Sequence, residues 1–264
     1  METEPFDPCD EIREASAYVR VWMEHQPAVK EESLSDWLLY EISRRLKYVH
    51  YYAFTRHQES RVTGADWEWW VLFPTQYLRM RVQAKKAFES KDNYPELLRS
   101  NAYGLQIDKL ISDADAVNAI PLYAFFSSSQ HGSMCRGDGG HPDGVYLAGA
   151  KSLYDRYINQ PRSKISASDL IAQSNPFSCF GCCPLSYETP EGAARYLEAY
   201  YETEAVSEDP DRAVRGIHRE LPDYVASLVE YDSDDIPAWW DREYARSASD
   251  IEALLVYDFR NRNA

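Results

Sequence analysis

Two alternating runs, ADWEWWVLF (65–73) and YLRMRVQAKK (77–86), lie a short turn apart and constrain this chain more than any other feature. Side chains on a strand point alternately to its two faces. The spacing therefore puts Asp66, Glu68 and Trp70 on one face of the first run, and Trp67, Trp69 and Val71 on the other. In the second run Arg79, Arg81, Gln83 and Lys85 share a face, opposite Met80, Val82 and Ala84. Paired as a hairpin, the runs bring two carboxylates, an amide, a lysine and two arginines onto one side of a sheet. Strands otherwise suited to a core thus carry a polar face that needs partners. For Trp67, Trp69 and Trp70 the alternation fits core packing better than stacking on bases.

The flanking segments predict an α/β fold with a central mixed sheet flanked by helices. Residues 10–25 and 33–46 read as helices, the second with an apolar stripe of Leu34, Trp37, Leu38 and Ile42. VHYYAFT (49–55) reads as a strand before the hairpin, 103–117 returns to helical periodicity, and IPLYAFFSS (120–128) suits a buried strand. The order is α-β-β-β-α-β. A strand near 145–148 and a helix to about residue 158 follow. SNPFSCFGCCP (174–184) is irregular and Cys-rich, and from Pro190 the pattern is helical, acidic and Tyr-rich. We expect a core with its N-terminal helices over 1–172. The Cys-rich segment and an acidic helical C-terminal cap, over 173–264, pack on it.

A chain of 264 residues, 44% hydrophobic, suits one large domain or a core with a modest appendage. No stretch approaches the roughly 20 apolar residues of a membrane helix. The acidic N-terminus, METEPFDPCDE, lacks the apolar region of a secretory signal, so a cytoplasmic location is expected. A formal net charge of −15 counts against an open, non-specific nucleic-acid surface. The acids crowd residues 188–258, however, whereas Arg44, Arg45, Lys47, Arg79, Arg81, Lys85 and Lys86 lie early. A local basic groove on an acidic body is compatible with that distribution.

A divalent metal would account for the polar face. Mg²⁺ prefers oxygen ligands, commonly one or two carboxylates with water and substrate phosphate. Asp66 would anchor it, or Mn²⁺ in its place, with Gln83 ligating or orienting water. Lys85 would polarise the attacking water or stabilise charge developing on the phosphate. Glu41 projects from the inward stripe of its helix and is a further candidate ligand. The plainer alternatives are a cross-strand Asp66–Lys85 ion pair on a solvated face, and a Glu41 paired with Arg44 or Arg45. Among five cysteines, Cys179-x-x-Cys182 has knuckle spacing, with Cys183 adjacent and His131, Cys135 and His141 in an earlier loop. Cys135 with His131 or His141, plus Cys179 and Cys182 or Cys183, would complete a structural zinc site. Buried cysteines packing as small hydrophobes are the alternative.

GAD (64–66), a hairpin and then VQAKK (82–86) resemble the active-site hairpin of the PD-(D/E)XK, or restriction endonuclease-like, nuclease superfamily. The Q-x-K form is similar to its Mrr-like branch, and the resemblance covers roughly residues 30–130. It implies a restriction endonuclease-like core and metal-dependent hydrolysis of nucleic acid, DNA before RNA, in restriction or anti-phage defence. It also implies a helical glutamate in the site, which Glu41 would supply, and a role for Gln106, similar to a glutamine that some branches place beside the metal. The chain departs from the pattern in lacking Pro before Asp66, in having Gln83 for the usual Glu, and in the extra acid Glu68. TGADWEWW, VQAKK and SNPFSC also resemble segments of a bacterial family of unknown function. Two other readings remain open: a nuclease-like fold without cleavage, serving as a binding module, and a zinc-stabilised interaction protein. On any of these readings the C-terminal region is a candidate surface for a protein partner or a second copy.

Overall fold

The hairpin is the axis of the architecture. In the computed structural model, β2 (Trp67–Leu72) and β3 (Tyr77–Lys86) pair antiparallel, with Trp67 opposite Val82 and Leu72 opposite Tyr77. The structure describes residues 8–54, 64–87, 97, 100–101, 104–128, 143–159, 165–172, 174–182, 215–231, 236–244 and 251–261. Before the hairpin come α1 (Pro8–His25), α2 (Glu31–Arg45) and β1 (Val49–Ala53). After it come the short β4 (Ser100–Asn101) and β5 (Gly104–Leu105), then α3 (Gln106–Ala116) and β6 (Ile120–Phe126). The remainder comprises β7 (Val145–Gly149), α4 (Ala150–Tyr154) with a π turn at Asp155–Asn159, α5 (Ala167–Ala172), β8 (Asn175–Pro176), α6 (Phe177–Cys182), β9 (Ile217–His218), α7 (Asp223–Leu228), α8 (Ala238–Tyr244) and β10 (Ala253–Asp258).

The sheet order is β1-β10-β2-β3-β6-β7-β8, with β9 pairing to the start of β3. β3 and β6 run parallel, so their connection must cross over, and α3 makes that crossover. The protein is thus α/β, with a mixed sheet flanked by helices, and the order from α2 to β6 follows the sequence pattern apart from the short β4–β5 pair.

The C-terminal region differs from the expected helical cap. β10 enters the sheet between β1 and β2, antiparallel to the first and parallel to the second. Its run ALLVY is buried throughout, as befits a strand covered on both faces. Residues on both sides of the expected boundary at 172 therefore share one sheet. SNPFSC is also more regular than expected, forming β8 and α6. The segment 191–202 lies outside the described residues.

Alternation along the hairpin sorts the core. Trp67, Trp69, Met80 and Val82 face α1 and α2. Trp70 and Leu72 face Val225, Leu228 and Trp240 of α7 and α8. Beside them Tyr123 and Phe125 of β6 lie under Leu110 of α3. The three hairpin tryptophans are at most 1% exposed, so they belong to the core. Gly64 sets the approach to the hairpin: a Cβ there would stand 2.3 Å from the Leu110 nitrogen, so only glycine lets this turn lie against α3. Among the described residues no helix is long and apolar enough to cross a membrane.

Candidate active site

The polar face of the hairpin divides into two clusters. Toward the end of β3, Asp66, Gln83 and Lys85 line a pocket of about 190 Å³ together with Glu31, Glu32 and Asp36 of α2, Gln106 of α3, and Glu252 just before β10. Nearer the middle of the strands, Glu68, Arg79 and Arg81 are sealed beneath Tyr224.

Asp66 is partly accessible at the pocket wall and held from two sides. Its Oδ2 accepts from the Ala84 backbone N–H at 2.7 Å and from Gln83 Nε2 at 2.5 Å. Its own backbone joins the neighbouring strands: Asp66 N–H donates to the Val82 carbonyl, and the Asp66 carbonyl accepts from Glu252 N–H. Burial pushes the Asp66 carboxyl up to about 7; Lys85 opposes that shift, and Glu31 and Glu252 add to it.

Gln83 is 2% exposed, and its Nε2 also donates to the Ala84 carbonyl at 3.1 Å. Its Oε1 accepts from Gln106 Nε2 at 2.7 Å, while Gln106 Oε1 is buried without a partner. Lys85 Nζ pairs with Glu31 Oε1 at 3.3 Å, and Glu31 Oε2 accepts from the Lys86 backbone N–H at 2.8 Å. The two lysines of VQAKK have different tasks. Lys85 reaches the pocket, whereas Lys86 Nζ donates to the carbonyls of Pro27 and Val29 in the α1–α2 connection.

Four of the five expected site residues, Asp66, Gln83, Lys85 and Gln106, therefore come together. Glu41 does not. It accepts from Arg44 at 2.9 Å and Arg45 at 2.6 Å, and Arg45 goes on to Glu11 and Glu14 of α1. The Arg44 hydrogen bond, opposed by burial and joined by Arg45, holds the Glu41 carboxyl below its ordinary value. The helical acids at the pocket are Glu31, Glu32 and Asp36, from the start of α2, and Glu31, its first residue, is the one paired with Lys85. Glu31 and Glu41 are ten residues apart on the same helix, about 15 Å along its axis, so opposite ends of α2 meet different neighbours. Sequence reading also missed Glu252, whose signal was an acid directly before the apolar run of β10, and the Ala84 carbonyl, which has no side-chain signature.

Among the described residues no group of three or more His, Cys, Asp or Glu is gathered as a metal site. The oxygens of Asp66 and Ala84 nevertheless converge on one point, now taken by Gln83 Nε2. Exchanging the two ends of that amide would place a third oxygen there. One carboxylate, one amide and one carbonyl, completed by water, fit the hard-oxygen preference of Mg²⁺ or Mn²⁺. Of the candidate zinc ligands, Cys179 is buried on α6. His131, Cys135, His141, Cys183 and the Cys182 side chain lie outside the described residues.

Fold and site together define an α/β protein with a carboxylate-rich, lysine-bearing pocket at one end of a mixed sheet. The chain belongs to the family of unknown function DUF6615, whose model matches residues 8–261. Comparison with curated proteins and with solved structures finds no match.

Proposed function

We propose that this protein is a metal-dependent nuclease with a restriction endonuclease-like core, hydrolysing phosphodiester bonds of nucleic acid, DNA before RNA, in the cytoplasm. The observation that carries the reading is the Asp66–Gln83–Lys85 constellation across the β2–β3 hairpin, with Asp66 Oδ2 and the Ala84 carbonyl converging on one point. The element order from α2 to β6 supports the core, while β10 between β1 and β2 is a departure from it. The charge of the pocket supports dependence on a cation. Glu31, Glu32, Asp36, Asp66 and Glu252 face Lys85 there, an environment that repels a phosphodiester until positive charge is added.

Asp66, Gln83 and the Ala84 carbonyl would hold Mg²⁺ or Mn²⁺, with Glu31 beside them. When bound, the metal supplies Lewis acidity and lowers the pKa of a coordinated water. Lys85, held by Glu31 at the pocket wall, would place its ammonium against the scissile phosphate and stabilise the charge that grows there. A place in restriction or anti-phage defence rests on the Mrr-like resemblance.

The test is cleavage of plasmid, single-stranded DNA and RNA with Mg²⁺ or Mn²⁺, for wild type, Asp66→Ala and Lys85→Ala. We expect metal-dependent cutting in the wild type and a loss on the order of 100-fold or more in each variant. Cutting that persists in both variants would overturn the site. Intact Mn²⁺ binding without cutting would put the binding-module reading first.

A further inference from the structure

We propose that Gln83 and Gln106 form a two-amide relay that reverses when a divalent cation settles on Asp66. The reversal turns the outward atom of Gln106 from a hydrogen-bond acceptor into a donor for an anionic substrate oxygen. This rests on the cation-dependent reading above.

Every hydrogen bond in the chain of amides runs one way. Gln106 Nε2 donates to Gln83 Oε1 at 2.7 Å, and Gln83 Nε2 donates to Asp66 Oδ2 at 2.5 Å and to the Ala84 carbonyl at 3.1 Å. The Ala84 carbonyl only accepts, and Asp66 Oδ2, bonded to the Ala84 N–H, accepts beside it, so both require the nitrogen of Gln83 to face them. That choice sends Gln83 Oε1 toward Gln106, requires the nitrogen of Gln106 in return, and leaves Gln106 Oε1 on the far side. There it is buried with no partner. Other buried atoms also lack a partner, Gln76 Oε1 among them, but this one belongs to a pocket-lining residue that continues the amide chain from Asp66.

A cation on Asp66 reverses the requirement. Oxygen must then face the point shared by Asp66 and the Ala84 carbonyl. The terminal torsion of a glutamine is broad and roughly two-fold, so a half-turn exchanges Oε1 and Nε2 without moving the backbone. Gln83 Nε2 then faces Gln106, which must present its Oε1. The same half-turn carries Gln106 Nε2 to the position now held by the orphaned oxygen. Gln106 and Lys85 both line the pocket, which gains a neutral donor from Gln106 only after the cation is in place. A non-bridging phosphate oxygen is the chemistry that matches it. The cation and the phosphodiester would therefore bind with positive coupling, the cation first.

The relay is tested on the full chain without measuring turnover. Mn²⁺ affinity is measured by electron paramagnetic resonance. Affinity for a phosphorothioate DNA oligonucleotide is measured in chelator and in Ca²⁺. Nitrogen-15 spectra follow the side-chain amides of Gln83 and Gln106. In the wild type we expect both amide resonances to move on adding Ca²⁺. Gln106→Glu accepts from Gln83 in the cation-loaded orientation but keeps an oxygen outward. It should hold or raise Mn²⁺ affinity while losing about tenfold of the Ca²⁺-dependent gain in oligonucleotide affinity. Gln83→Glu, which keeps Gln106 Nε2 pointed inward in both states, should do the same. A simple charge effect would instead weaken the oligonucleotide equally in chelator and in Ca²⁺, and that result overturns the relay. Mn²⁺ binding to the wild type with neither amide resonance moving also overturns the relay, and leaves the cation site standing. No Mn²⁺ binding by the wild type overturns both.

Discussion

Asp66 and Glu68 are two residues apart, and strand alternation gives them the same side of the sheet, yet the chain surrounds them in opposite ways. Glu68 is fully buried and fully matched. Arg79 and Arg81 approach it at 2.7 Å each, and Tyr224 and Trp70 donate to it at 2.5 and 2.6 Å. Burial alone would raise its carboxyl, but Arg81 and Arg79 with the hydrogen bonds to Tyr224 and Arg79 outweigh it and leave the group below its ordinary value. Asp66, by contrast, is pushed up to about 7, because burial and the nearby Glu31 and Glu252 outweigh Lys85. The difference teaches how one hairpin carries two polar clusters of opposite character. In the first, two arginines and two neutral donors surround the carboxylate beneath α7. The second is short of positive charge and open to a pocket, which is why we propose it as the cation site.

The largest expected effect breaks the sealed cluster. Glu68→Ala leaves two arginines without their shared carboxylate beneath α7, and we expect a loss of about 3–5 kcal/mol in urea unfolding. A loss under about 1 kcal/mol would mean that the cluster is not sealed and that the contrast fails.

The open cluster should respond with the opposite sign. The folded value of Asp66, about 7, lies above its ordinary 3.8, so the folded protein keeps a proton that the unfolded chain has released. Its contribution to stability therefore declines as pH rises from about 4 to about 7 and is flat above. Asp66→Asn removes that decline. The variant should match the wild type near pH 4 and exceed it at pH 8 by roughly 1–3 kcal/mol, allowing for solvent at the pocket mouth. Asp143, also raised to about 7 by burial, is present in both proteins and cancels from the comparison. A difference that stays constant across that window would sink the assignment.

The smallest effect sharpens the seal. Tyr224→Phe deletes the hydroxyl that donates to Glu68 and accepts from Arg79, while both arginines keep their contacts to Glu68, and should cost about 1 kcal/mol. A much larger loss would show that α7, rather than the arginines, holds Glu68 in its buried state.

What could be read in advance was local. The main helix and strand order from α2 to β6, the pairing of the hairpin and the shared face of Asp66, Gln83 and Lys85 all follow from periods of 3.6 and 2 written into adjacent residues. Gln106 came from the family resemblance. Periodicity says which residues share a face, but not what covers that face or where along it the cover ends. Glu68, an extra acid to the family pattern, shares its side with Asp66, yet only the packing of α7 buries one and leaves the other at a pocket. Glu41 was legible as an inward acid of its helix, and its pairing with Arg44 and Arg45, at i+3 and i+4, is the plainer of the two local alternatives.

The sequence by itself determined the α/β class, the polar hairpin and the residues able to meet across it, because these depend on spacing over a few residues. Tertiary structure alone decided that residues 253–258 enter the sheet between β1 and β2, and so bring Glu252 beside Asp66. It also decided that Glu31 meets Lys85. Each is a contact between segments far apart in the chain. Each is chosen by which apolar faces bury together, a free energy of the assembled core that no local pattern contains.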